Sequence, residues 1–352
     1  MRIAIDVREA CKPRKTGKGQ WVTGLLRELV RRNVPLVTLS DRSLPPPFSQ
    51  ARVIEERVID ASGWRWHWKA ARDLRRSDAT VYVSPTSFIV PFLVGKKFPV
   101  VPVVHDLIAF RDPTHERRAA TIEKMTIGRA LRHARHVCTV SESTKRDLKE
   151  MFPHVPSESM TVIFAGPLRE SVVPNSADQC TILCAGTLSP RKNQLRLIEA
   201  YAELPASLRS QYRLLLVGGR GWNDQETLAL AAKTPGVEWR DYVPDAEYET
   251  LLSACTILAL PSLYEGFGLQ ALDAMQRGIP VLTSGRGSLR EVCGNAAHYV
   301  DPENVSSIAA GLELLLTSER VRFDIKTRAL EQARKFSWAR TADLLMDVLQ
   351  KL

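Results

Sequence analysis

Two carboxylates stand eight residues apart in YEGFGLQALDAMQRG (residues 264–278). Glu265 precedes a Gly-Phe-Gly turn, and Asp273 lies two helical turns further on. A carboxylate accepts hydrogen bonds from vicinal hydroxyls. Two at this spacing can hold two sugar rings of one ligand, while the backbone N–H groups around Gly266, Phe267 and Gly268 hold phosphate. Asp273 also reads as a solvated helix residue. A second stretch runs Gly186-Thr187-Leu188-Ser189-Pro190-Arg191-Lys192-Asn193 and opens a helix. Adjacent cations and free N–H groups at a helix N-terminus make a diphosphate site. Cations there oppose the macrodipole by about 0.3–1 kcal/mol each, so a purely structural role accounts for Arg191 and Lys192 less well. Gly17 and Gly19, in TGKGQWVTGLL, form a third and weaker candidate, a glycine loop leading into a helix near Gln20 with Lys15 and Lys18 beside it. A plain strand-to-helix turn fits it equally. The fourth is His105-Asp106, where the imidazole can hydrogen-bond a hydroxyl or phosphate, or be a structural histidine held by Asp106.

All four candidates follow short apolar runs. RIAIDV, TVYVSP, FPVVPVVHD, HVCTVS and MTVIFAG punctuate the first half; CTILCAGT, YRLLLVGG, CTILALPS and IPVLTSG punctuate the second. Continuous apolar strands between amphipathic helices indicate parallel sheets covered on both faces. The fold class is α/β, with two Rossmann-like doubly wound domains. In such sheets ligands bind at the carboxyl ends of strands, where these residues fall. Pro156, Pro167 and Pro174 make 165–178 the best linker. The expected domains are 1–168 and 177–337. The last helix is expected from an N-cap at Ser337, with Leu344, Leu345, Val348, Leu349 and Leu352 as its apolar face.

The chain has 352 residues, 44% apolar and 25% charged, as in soluble globular proteins. The N-terminus lacks the apolar core of a signal peptide, and no apolar run is long enough to span a bilayer. The six cysteines show no metal or disulfide spacing, which favours reduced thiols in a cytoplasmic protein. Net charge is +10, unevenly placed. Residues 1–170 hold 30 Lys+Arg against 18 Asp+Glu, giving +12; residues 171–352 hold 19 against 21, giving −2. The basic half suggests an anionic partner or a solubilising surface.

Taken in order, TGKGQW, HD after a strand, VSESTKRDL, GTLSPRKN, RDYVPDAEYETLLSAC, EGFGLQALD and the closing FSW helix resemble the retaining glycosyltransferases of family 4, with their E-x7-E motif and GT-B fold. The resemblance covers nearly the whole chain except about 41–80. It implies two domains facing a central cleft, with the C-terminal helix 338–352 crossing back to the N-terminal domain. It implies a nucleotide-sugar donor held by the C-terminal domain and no required metal or further cofactor. By that resemblance Glu265 contacts the donor sugar, while the backbone at Phe267, Gly268 and Leu269 meets sugar and diphosphate. Arg191 and Lys192 neutralise the leaving group. Asp273 holds the ribose and Val243 lines the base pocket. Gly17 and Gly19 close over the donor, and His105 stands near the anomeric centre. The family usually has Glu where this chain has Asp273. The stretches look most like bacterial mannosyltransferases, which implies GDP-mannose, with UDP-glucose as the alternative.

Such enzymes bind the acceptor mostly in the N-terminal domain. There, GWRWHWKAARDLRR (63–76) alternates tryptophans with cations, which suits an anionic membrane interface or a lipid-linked diphosphate acceptor. An ordinary helix packing its tryptophans on the sheet is the other reading. The expected partners are a nucleotide sugar, a glycan or lipid-linked acceptor and the inner face of the cell membrane, with no nucleic acid. Rival readings are a nucleotide-sugar epimerase and a non-enzymatic basic protein that stacks bases.

Overall fold

A computed structural model describes residues 1–111, 117–169 and 180–352. The chain forms two compact units: Met1–Leu168 with Ser337–Leu352, and Arg169–Phe336. Of the expected linker, residues 170–178 lie outside the described ones. Ala165, Gly166 and Pro167, which the sequence places in it, are buried in the first unit.

The first unit is built on seven strands: β1 (Ile3–Asp6), β2 (Leu36–Ser40), β3 (Ile54–Val58), β4 (Val81–Ser84), β5 (Val100–Val104), β6 (Val137–Thr139) and β7 (Met160–Val162). Their spatial order is β3-β2-β1-β4-β5-β6-β7, with every pairing parallel. All residues of β1, β2, β4 and β5 are buried, which is why these segments are mostly apolar and do not alternate. The second unit has six: β8 (Thr181–Ala185), β9 (Arg213–Val217), β10 (Val237–Arg240), β11 (Ile257–Leu260), β12 (Val281–Ser284) and β13 (His298–Val300). They order as β10-β9-β8-β11-β12-β13, again all parallel. One side of this sheet buries Leu197, Ile198 and Tyr201 of the helix Gln194–Glu203 and Ile308, Leu312 and Leu315 of the helix Val305–Thr317. In both sheets the order reverses beside the first strand. A crevice therefore opens at the carboxyl ends of β1 and β4 in one unit, and of β8 and β11 in the other.

The helix Trp338–Gln350 starts at the expected cap: the Ser337 side chain accepts from Arg340 N at 3.2 Å. Leu345, Val348 and Leu349 are buried as expected, but Leu344 is half-buried and Leu352 exposed. The anchor is a residue the periodicity did not single out. Trp338 is 3% exposed, meets Trp21 edge-on at 6.1 Å, and donates Nε1–H to the Pro167 carbonyl at 2.7 Å. Thr341 Oγ1 donates to the Phe164 carbonyl at 2.5 Å. Trp338→Ala is expected to cost about 3–5 kcal/mol. Hydrogen exchange should then show faster amides over 338–350 and unchanged ones in the second unit. Unchanged exchange across that helix would show that Trp338 is not its anchor.

Candidate functional site

The crevice of the second unit holds most of the residues singled out above. After β8 the chain passes Gly186 and makes one 3-10 turn, Pro190–Lys192, before the helix Gln194–Glu203. Arg191 and Lys192 thus lie ahead of the helix, not in its first turn. Asn193, at φ 61°, caps the helix start and ties the turn down, donating from Nδ2 to the carbonyls of Pro261 (2.9 Å) and Pro302 (2.6 Å). Leu263 N–H donates to the Arg191 carbonyl at 2.7 Å, joining this turn to the loop after β11.

That loop carries Glu265 into the same place. Lys192 Nζ lies 2.6 Å from Oε1 and Arg191 Nη1 2.9 Å from Oε2; Ser262 Oγ donates to Oε1 at 2.8 Å. Glu265 is 5% exposed and Lys192 6%. Burial alone would raise the carboxyl, but the two cations outweigh it and hold Glu265 down at about 2. Burial, and then Arg191, pull the Lys192 ammonium below its ordinary value while Glu265 pulls it back. The three form one charge-compensated cluster, as buried charges require. Gly287 and Ser288 complete it, and neither stood out in the sequence. The Ser288 N–H and hydroxyl both donate to the Glu265 carbonyl at 3.0 Å. At Gly287, φ is +58° and a Cβ would lie 2.5 Å from that carbonyl oxygen, so only glycine fits there.

Phe267, Gly268 and Leu269 are buried at the N-terminus of the helix Leu269–Gln276, whose first N–H groups have no intrahelical acceptor. Gly266 is half-buried, and so is Val243, in the loop after β10. Asp273 is placed differently from the expectation of a carboxylate facing the crevice. It is fully buried, and its Oδ1 lies 3.9 Å from Nη1 of Arg277, also fully buried. Arg277 donates to the Asp273 carbonyl at 2.8 Å and to Glu249 Oε2, and Glu249 accepts in turn from Arg169 at 3.3 Å. Asp273 therefore stands at the inner end of an alternating ion-pair chain, and its spacing from Glu265 gave no sign of that.

Gly17, Gly19 and His105 belong to the first unit. The helix there begins at Gly17, so both glycines are in its first turn rather than in a loop before Gln20. Gly19 has a packing reason of its own: a Cβ would lie 2.5 Å from the Glu9 carbonyl oxygen. His105 sits at the carboxyl end of β5. Its Nε2 lies 2.7 Å from the Pro85 carbonyl and must carry the proton, leaving Nδ1 as an acceptor. Its ring partners are Pro85 and, edge-on at 5.2 Å, Trp21. Burial, with help from Lys18 and against Asp106, lowers its pKa to about 4. His67 in the same unit is lowered to about 4 by burial and Arg8. The surroundings of His67 and of Glu265 should therefore answer acid differently. A histidine with a depressed pKa favours folding fully above its unfolded value near 6.5, a contribution lost as pH falls to about 4. A depressed carboxylate contributes above 4.5 and is lost as pH falls through about 2. Hydrogen exchange across pH 7 to 4 is expected to weaken the surroundings of His67 while the Glu265 cluster keeps its protection. Around His105 the loss is offset by Glu123, whose carboxyl burial raises to about 7 and which therefore favours folding as pH falls. The reverse order would contradict these charge states.

The two units match two protein-family models. Residues 16–166 match "Glycosyltransferase Family 4" and residues 170–335 match "Glycosyl transferases group 1". The O-antigen chain mannosyltransferase B of Escherichia coli is 32% identical over 255 residues, 68% of this chain and 66% of that one. The serotype-specific mannosyltransferase WbdA of Escherichia coli is 35% identical over 176 residues, 49% of this chain and 22% of that one. The match thus spans about two-thirds of the first relative and about a fifth of the second. Among solved structures, sucrose-phosphate synthase from Thermosynechococcus elongatus superposes with a TM-score of 0.82 at 17% identity, covering 100% of this chain and 98% of its own. At that identity the likeness establishes the fold, the GT-B pairing of Rossmann-like units. With one glycosyltransferase module in each unit, the chain belongs to the glycosyltransferases.

Proposed function

We propose that the protein moves a hexose, mannose from GDP-mannose, onto a hydroxyl of a lipid-linked or polysaccharide precursor, with retention of configuration and without a metal. The observation that carries this reading is the Arg191–Lys192–Glu265 cluster at the carboxyl end of the second sheet. Two cations held in place by a carboxylate are already oriented when a donor arrives. The diphosphate competes with Glu265 for them, and the carboxylate so released accepts hydrogen bonds from the sugar hydroxyls. In the transfer, the bond from the anomeric carbon to the phosphate oxygen breaks and a bond to the acceptor oxygen forms on the same face. The acceptor proton passes to the departing phosphate, so the protein's task is to stabilise that leaving group. His105 Nδ1 accepts from a substrate hydroxyl, being neutral at pH 7. The backbone from Gly266 to Leu269, with Gly186, lines the phosphate path, and Gly17 and Gly19 also contact the donor. Val243 meets the base. A ribose contact at Asp273 requires the carboxylate to exchange Arg277 for the sugar. Mannose is favoured because both relatives named above are described as mannosyltransferases. We place the protein in the cytoplasm, at the inner face of the membrane. Among the described residues no helix is long and apolar enough to cross a membrane, and no cluster of His, Cys, Asp or Glu could hold a metal.

A thermal-shift panel tests the donor. GDP at about one hundred times its Kd should stabilise the fold by about 2.7 kcal/mol, while UDP, ADP and dTDP leave the midpoint in place. A shift with UDP alone would overturn mannose from GDP-mannose, and no shift with any nucleotide would overturn the site. Lys192→Met is expected to lower turnover by about a hundredfold or more, the usual loss for a group that stabilises developing charge. Gly287→Ala should act through Glu265 and raise the GDP concentration needed for half the thermal shift. Normal turnover in Lys192→Met would detach the cluster from the chemistry.

A further inference from the structure

The helix Gly63–Leu74 divides its tryptophans. Trp66 is 1% exposed, donates Nε1–H to the Ser40 carbonyl at 3.0 Å and stacks under the Arg8 guanidinium at 3.6 Å. Packing on the sheet explains that residue completely. Trp64 and Trp68, one turn apart on the opposite face, are 50% and 59% exposed, and Trp64 touches the buried interior only edge-on, at His67, 6.4 Å away. Around them Arg65, Lys69 and Arg72 are exposed, followed by Arg75 and Arg76. The helix has one acid, Asp73, half-buried and bonded to Arg57 at 3.1 Å. The outward face thus consists of two indoles and cations.

Positive charge continues onto the neighbouring elements. Arg75 donates to the Leu93 carbonyl at 2.7 Å, and Arg129 donates to the Phe92 carbonyl at 3.3 Å with its guanidinium 5.3 Å from the Phe92 ring. Both anchor on the helix Ile89–Val94, and the exposed Lys96 and Lys97 follow it directly. We propose that Trp64 and Trp68, with the cations of residues 65–76, 96–97 and 129, form a docking surface for an anionic phospholipid bilayer. Indoles rest at headgroup depth, and lysine and arginine reach the lipid phosphates on flexible stems. The geometry disfavours the other occupants. Stacked nucleic acid bases are the competing occupant, and the guanidinium of Arg72, 5.4 Å from the Trp68 ring centroid, covers one of that ring's two faces. A second copy meeting this face across a two-fold axis would set one cationic face against another.

The surface is independent of which sugar is transferred, because vesicle binding needs no donor. The test is flotation of the full-length protein with phosphatidylcholine vesicles containing or lacking phosphatidylglycerol, at low salt and at 1 M salt, with a brominated lipid to quench tryptophan fluorescence. Binding is expected only to the anionic vesicles at low salt, with quenching. Lys69→Glu/Arg72→Glu should weaken it by more than about 25-fold, taking about fivefold for each cation near an anionic leaflet. Trp64→Ala/Trp68→Ala, which alters exposed residues only, should keep its thermal midpoint and lose the quenching. Equal binding to neutral vesicles, undiminished quenching in the tryptophan variant, or binding to single-stranded DNA but not to vesicles would each overturn the assignment. So would a dimer that the tryptophan variant abolishes.

Discussion

A buried charge must be answered by another charge, and the candidate site is arranged around that requirement. Glu265 and Lys192 are almost inaccessible to water, and either alone would cost several kcal/mol. Together with Arg191 they balance. Each is then held by backbone that tolerates little variation: the Asn193 cap that pins the cationic turn, the Leu263 N–H on the Arg191 carbonyl, and Gly287 and Ser288 under Glu265. These contacts join the loops after β8, β11 and β12, three neighbouring strands of one sheet. The parallel sheet brings chemistry together by delivering separated loops to one edge.

The acids of the E-x7-acid stretch illustrate a division of labour. Glu265 faces Arg191 and Lys192. Asp273 faces Arg277, and behind it come Glu249 and Arg169, the residue at which the second unit begins. The first acid is paired with cations from a neighbouring loop, the second with Arg277 four residues along the chain. An aspartate suits the inner position, since Arg277 reaches it from one turn along the same helix.

Much of this was legible in the sequence, for reasons that differ by element. Strands buried on both faces announce themselves as apolar runs, and nine were read that way. The four overlooked strands include β3 (IEERV) and β10 (VEWR), which lie at sheet edges, are mostly half-buried and so carry charge. β13 has three residues, and β2 is separated from Arg31-Arg32-Asn33 only by Val34 and Pro35, which hid it. In the site, Glu265, Arg191 and Lys192 were legible because such residues at strand ends have few other reasons to be there. Their pairing with each other was not legible, because no local pattern links positions 192 and 265. Asp273 misled because almost every residue of its helix is buried, leaving no periodicity to say which side faces a ligand. The tryptophans of 63–76 were legible as a group, and helical geometry separates Trp66 from Trp64 and Trp68.

The return of Ser337–Leu352 to the first unit has a consequence for how the chain is made. Trp338 and Thr341 fasten to carbonyls at 167 and 164, so the first unit lacks a wall until residues beyond 336 have been synthesised. By then the whole of 169–336 has already been synthesised. The unit that starts first therefore finishes last, and it waits with Trp21 uncovered while its successor folds. In chain order the second unit is set within the first. Exchanging 169–336 between relatives preserves both cores, whereas a single crossover near 168 parts the first unit from the segment that closes it.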